Sequence, residues 1–166
     1  MILSTNHWGY KNHIPNITEF ELVKAAGFSD ITIEFNDKSI LLSEDFEAKI
    51  TPRTKALIMP YPCNPTGAIM EREDLEEIAD VLRGTNVIVI SDEIYAELTF
   101  GGKRHVSIAS LDGMKERTVL INGFSKTFSM TGWRLGYACG PAPIIKEITK
   151  IHQYAIMCAP TTSQYA

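Results

Sequence analysis

Cysteine is scarce in this chain. Cys63, Cys139 and Cys158 make an odd number, and no Cys-x-x-Cys occurs. That excludes a disulfide-built scaffold and a dithiol redox pair, and it fits a reducing cytoplasm. The four histidines, His7, His13, His105 and His152, are scattered without metal-site spacing, so no metal is expected. No apolar run approaches the roughly 20 residues a membrane helix needs. A basic start followed by an apolar stretch and a cleavage site is also missing, and no signal peptide is expected. Positive charge is not in excess: 16 Lys and Arg against 20 Asp and Glu give a net charge of -4. Nucleic acid and anionic membranes are therefore not expected as partners. There is no internal repeat, low-complexity tract or flexible linker.

What is present is an ordinary globular composition. With 166 residues, 45% hydrophobic and 22% charged, the chain is long enough and apolar enough for one packed domain. Apolar periodicity predicts helices over Thr18–Ala26, Ser43–Ile50, Glu71–Arg83 and Pro143–Met157. In the last of these Ile144, Ile145, Ile148, Ile151 and Tyr154 face inward. Short apolar runs predict strands at Ile31–Phe35, Lys55–Pro60, Asn86–Ile90, Thr118–Ile121 and Leu135–Cys139. Met1–Ser4 reads as the end of a further strand. Strands alternating with helices give a parallel-rich α/β sheet with helices on both faces.

The stretch from Gly123 to Gly136 carries the most chemistry. One lysine, Lys126, sits among small and hydroxylated residues just after a predicted buried strand. Gly123, Gly132 and Gly136 allow tight turns and a close approach of backbone to a ligand. Arg134 follows further on. This layout suits a lysine that carries an aldehyde cofactor covalently, with a hydroxyl and a guanidinium near a phosphate. A strand, a turn and a surface lysine is the plainer alternative for a lysine standing alone. Upstream, Lys55–Pro60 leads into Asn64-Pro65-Thr66-Gly67, a loop stiffened by proline at a strand's carboxyl end. Asn86–Ile90 leads into Ser91-Asp92-Glu93-Ile94-Tyr95, which places a carboxylate at another such end. Asp92 as a helix N-cap and Tyr95 as a core aromatic is the plainer reading of that second motif.

Together these three motifs, in this order, resemble those of class I/II aminotransferases, enzymes of pyridoxal phosphate (PLP) fold type I. The resemblance covers nearly the whole chain. It implies a large cofactor domain of that fold, with one antiparallel strand near Leu135–Cys139. It implies that Lys126 binds the cofactor covalently and acts as the proton carrier. It further implies that Asp92 pairs with the ring nitrogen, that Tyr95 and Asn64 reach the phenolic oxygen, and that Ser125 and Arg134 hold the phosphate. Lys126, Asp92 and Tyr95 are then the catalytic set. An aromatic residue stacks on the cofactor ring in the family. Trp8 matches that place best and Tyr10 second, while a tryptophan filling a core edge fits Trp8 equally. Thr5, Asn6 and His7 depart from the family's proline shortly before this aromatic. Tyr61 and Cys63 depart from its usual residues beside the Asn-Pro-Thr-Gly loop, changes expected to tune the pocket.

By the same resemblance, residues 1–166 are expected to be a central piece of the large domain. An N-terminal segment with a phosphate loop and a C-terminal small domain with a carboxylate-binding arginine would both lie outside it. The piece alone is expected to be inactive. The implied activity of the whole is amino-group transfer between an L-amino acid and a 2-oxo acid, by a cytoplasmic homodimer. A carbon–sulfur lyase of the same fold and an aminotransferase-like domain of a transcriptional regulator are the alternatives. The intact Asn-Pro-Thr-Gly loop favours transamination over the lyase.

Overall fold

The computed structural model describes residues 4–6, 30–32, 47 and 50–166. The chain divides into two compact units, residues 1–35 and 36–166. In the first, β1 (Ser4–Asn6) and β2 (Asp30–Thr32) pair in parallel, with Ser4 opposite Asp30. The helix expected over Thr18–Ala26 lies outside the described residues, as do Trp8, Tyr10 and most of the helix expected over Ser43–Ile50.

The second unit is built on a four-stranded sheet of order β3-β4-β5-β6. β3 (Ala56–Pro60), β4 (Ile88–Asp92) and β5 (Thr118–Gly123) are parallel, and β6 (Gly136–Cys139) runs antiparallel to β5. A mostly parallel sheet with a single antiparallel strand at Gly136–Cys139 is the expected arrangement. Successive side chains in a strand point to opposite faces. Leu57 and Met59 of β3 and Val89 and Ser91 of β4 are buried, whereas Ile58, Ile88 and Ile90 are half-buried. The apolar runs therefore bury one face more deeply than the other.

The crossover between β3 and β4 contains α1 (Arg72–Leu82). Glu71 and Arg83, expected inside this helix, are its caps. The Glu71 backbone N–H donates to Asp74 Oδ2 at 2.8 Å in a reciprocal capping box, and Arg83 N–H reaches Ala79 O. Glu73 and Asp74 complement the positive end of the helix dipole. Leu75, Ile78, Ala79 and Leu82 form one buried stripe, and each Leu or Ile so buried contributes about 1.5–3 kcal/mol.

β4 lies two residues later than the apolar run suggests. The connecting turn takes Asn86 and Val87, with Val87 N–H on Thr85 Oγ1 at 3.3 Å. The ladder then continues through polar Ser91 and Asp92, because Pro60 and Ile121 stand opposite Asp92. β5 runs on to Gly123 for the same reason: Asn122 and Gly123 pair with Tyr137 and Gly136.

α2 (Ala142–Ala155) follows β6, and α3 (Thr161–Gln164) is a single turn. The inward stripe expected on α2 is not buried. Ile144 and Ile145 are half-buried, while Ile151 is 72% and Tyr154 95% exposed. Periodicity gives the helix its apolar stripe, but among the described residues no element covers it.

Candidate functional site

Parallel strands send their carboxyl ends to one edge of a sheet, and ligands of open α/β sheets bind there. Three of the sequence motifs follow β3, β4 and β5 at that edge. β6 is antiparallel, so its amino end lies at the same edge, and Arg134 immediately precedes it. Strand polarity alone therefore brings Asn64, Asp92, Tyr95, Ser125, Lys126 and Arg134 to one edge of this sheet.

After β3 the chain turns tightly. Cys63 N–H donates to Ala68 O at 2.9 Å and Gly67 N–H to Cys63 O at 2.8 Å, with Gly67 at φ +70°. This turn, whose Asn64-Pro65 bond is cis, leaves the Asn64 side chain exposed. Its Nδ2 donates to the Tyr95 hydroxyl at 3.2 Å. Lys126 is half-buried, and its Nζ lies 5.3 Å from the centre of the Tyr95 ring. An ammonium over an aromatic face at that distance is a cation–π contact. Asn64, Tyr95 and Lys126, drawn from three separate loops, thus meet around one ring.

Asp92 occupies the last position of β4 rather than the turn beyond it. Its Oδ1 accepts the Ile94 N–H at 3.2 Å, which makes it the cap of the turn leading to Tyr95. The backbone at this point is held from both sides: Tyr61 N–H donates to Asp92 O at 3.1 Å, and Glu93 N–H to Ile121 O at 2.9 Å.

Ser125 and Arg134 are linked through a residue that the sequence reading passed over. The Thr131 hydroxyl donates to Ser125 O at 2.9 Å, and Thr131 O accepts from an Arg134 guanidinium nitrogen at 3.0 Å. Arg134 adopts φ 54°, a left-handed conformation that is uncommon for a residue with a Cβ. The loop is stiffened further by Phe124, stacked on Phe128 at 5.6 Å and edge-on to Tyr137 at 6.1 Å. Of the three glycines in this stretch, Gly123 and Gly136 meet each other across the β5–β6 pair, while a Cβ on Gly132 would meet nothing within 4 Å. A Cβ on Gly123 would lie 3.0 Å from Gly136 Cα and from Leu135 O, so their close approach is strand against strand.

Tyr61 also departs from expectation. It is buried, on the same face as Met59, and its hydroxyl accepts the Ile108 N–H at 2.9 Å. Burial, reinforced by the negative charge of Glu93, pushes its phenol well above the usual range. It faces the core rather than the Asn64 side chain. Glu93 is likewise buried and holds Ser91, His105 and Ser107. Carboxylate and hydroxyl pairings between segments this far apart carry no spacing signal in a single sequence.

The side chains at this edge fit a small, anionic aldehyde. Among the described residues neither Lys126 nor Arg134 forms an ion pair. The edge therefore offers an amine, a guanidinium, a carboxylate at a strand end and a hydroxyl–amide pair. No cluster of three metal-ligating side chains exists among the described residues, and no helix there is long and apolar enough to cross a membrane.

Fold and side chains together give a mostly parallel sheet whose strand-end edge carries a half-buried lysine. A model of the family described as aminotransferase class I and II matches residues 5–166. The aspartate aminotransferase of Pyrococcus abyssi is 50% identical over 123 residues, covering 74% of this chain and 32% of that protein. The aspartate aminotransferase of Geobacillus stearothermophilus is 41% identical over 169 residues, covering 100% of this chain and 41% of that one. The solved aromatic aminotransferase of Pyrococcus horikoshii superposes with a TM-score of 0.72 at 47% identity, over 82% of this chain and 36% of its own. The chain belongs to the class I and II aminotransferases, and it spans less than half the length of these relatives.

Proposed function

We propose that this chain is part of the cofactor domain of a PLP-dependent aminotransferase that moves an amino group between an L-amino acid and a 2-oxo acid. The observation that carries the reading is the meeting of Asn64, Tyr95 and Lys126 at the carboxyl ends of β3, β4 and β5. The names of the relatives, aspartate and aromatic aminotransferases, support transamination over carbon–sulfur cleavage or a regulatory role.

Lys126 would hold the cofactor through its amine, and Arg134 and Ser125 would hold its phosphate, the guanidinium as a forked donor. Asp92 would face the ring nitrogen, where a carboxylate favours the protonated form. When bound, the cofactor supplies an electron-accepting ring that stabilises negative charge at the substrate α-carbon. The remaining work belongs to the chain. Lys126 Nζ would take the proton from that carbon and hold it as an ammonium until it is returned. The Asn64 amide fixes the Tyr95 hydroxyl, and the Tyr95 ring in turn lies under the lysine and limits its travel. A cytoplasmic homodimer is the form in which we expect the complete polypeptide to act.

The test is transamination by the complete polypeptide. Incubation with PLP, a panel of amino acids and 2-oxoglutarate should yield glutamate with at least one donor. Release of a sulfide or ammonia instead, with no glutamate from any donor, contradicts the proposal.

A further inference from the structure

We propose that Glu93 is a positioning residue for the cofactor site, resting on the PLP reading given above. Glu93 lies between Asp92 and Tyr95 but faces the other way. Ser91 and Glu93 are buried on one side of the β4 line, and Asp92, between them, lies on the other. Glu93 therefore never meets the ligand. It acts on the backbone that carries the two residues that do.

Glu93 is 2% exposed, and both of its carboxylate oxygens are engaged. Oε1 accepts from Ser91 Oγ at 2.9 Å and Ser107 Oγ at 2.7 Å, and Oε2 lies 2.7 Å from His105 Nε2. Ser107 also caps the short turn Ile108–Ser110, accepting the Ala109 N–H at 3.3 Å. The Ile108 N–H of that turn donates to Tyr61 at the end of β3. The Tyr61 ring in turn packs on His105 with centroids 5.2 Å apart. One buried carboxylate thus bolts the 105–110 loop to the ends of β3 and β4.

The consequence falls on the next residues. Glu93 O accepts the Ala96 N–H at 2.9 Å, closing the turn that presents Tyr95. Asp92, one residue earlier, caps the same turn. With the Glu93 side chain anchored beneath, the Asp92 carboxylate and the Tyr95 hydroxyl are held at a fixed separation. Removing the anchor leaves one buried donor, on Ser91, and two half-buried ones, on Ser107 and His105, without this acceptor and frees that turn to shift.

The substitution Glu93→Gln separates this role from bulk. Its amide oxygen can still take both serine hydroxyls, and its NH2 can donate to the other tautomer of His105. Glu93→Ala offers nothing, and Ser107→Ala removes a single anchor. The measurements are PLP affinity by absorbance titration and the visible circular dichroism of the bound cofactor, in the complete polypeptide. Far-ultraviolet circular dichroism confirms that each variant is folded at the assay temperature. Glu93→Ala is expected to bind PLP about tenfold more weakly, with an altered visible signal, and Ser107→Ala to move the same way by about threefold. Glu93→Gln is expected to restore both readouts. A folded Glu93→Ala variant with native affinity and visible signal would show a purely structural clamp and overturn the proposal. Should Glu93→Ala not fold, unchanged affinity and signal in Ser107→Ala overturn it equally. A native protein that develops no visible band with PLP overturns the cofactor reading itself, a result distinct from either.

Discussion

The Asn64 amide donates to the Tyr95 hydroxyl at 3.2 Å and joins the loop after β3 to the turn after β4. Asn64 is exposed and Tyr95 half-buried, so this bond contributes little to folding. It fixes the hydroxyl of the ring that lies under the Lys126 amine. The substitution Tyr95→Phe should change stability by less than about 0.5 kcal/mol. It should lower turnover about tenfold, the worth of one hydrogen bond to a charged group. Steady-state kinetics beside a denaturant titration checks both halves.

Thr131 bridges the backbone of Ser125 to the guanidinium of Arg134. Thr131→Val keeps the branched shape and removes the hydroxyl. Loss of one hydrogen bond worth about 1 kcal/mol should weaken PLP binding roughly fivefold through a looser 125–134 loop. Absorbance titration with PLP measures this. Affinity equal to the native protein's would mean that the loop holds its shape without the bridge.

The two glycines of the β5–β6 pair should be unequal to their neighbour in the loop. Gly123→Ala places a Cβ 3.0 Å from backbone atoms that cannot move aside, whereas a Cβ on Gly132 meets nothing within 4 Å. The first should cost about 1–3 kcal/mol, as overpacking does. The second should stay within about 0.5 kcal/mol. Shifts in the urea midpoint at constant slope compare them directly.

Tyr61 gives a pH dependence of definite sign. Burial, and then the Glu93 charge, raise its phenol above the ordinary value of 10.0. The folded state thus keeps a proton that the unfolded chain releases near pH 10. The associated stabilisation is complete below that pH and is lost as pH rises toward the folded-state value. The slope approaches about 1.4 kcal/mol per pH unit. Tyr61→Phe should flatten this alkaline limb relative to the native protein. Parallel limbs between pH 9 and 11 would show that Tyr61 ionises as freely folded as unfolded.

The sheet was legible because its signals are local. Apolar runs leading into Asn64-Pro65, Ser91-Asp92 and Gly123-Phe124 mark three strand ends, and the strand directions carry the candidate residues from Asn64 to Arg134 to one edge. Strand limits were less legible, since Ser91, Asp92 and Asn122 enter the ladder through their neighbours' backbones and not through their own apolarity. The Glu93 network and the Thr131 bridge were not visible at all. They join residues whose contact depends on the folded chain, and no periodicity or spacing encodes it. The α2 stripe shows the converse: period 3.6 is clear from Ile144 to Tyr154, yet period alone does not say what covers it.

The most direct test asks which lysine carries the cofactor. The complete polypeptide is incubated with PLP, reduced with borohydride, digested and mapped by mass spectrometry, in native form and as Lys126→Ala. The native protein should absorb in the visible range before reduction and carry the label on the peptide containing Lys126. Lys126→Ala should lose both the visible band and that label. Visible absorbance and stoichiometric labelling retained in Lys126→Ala would place the cofactor on another lysine and contradict the site assigned to the ends of β3, β4 and β5.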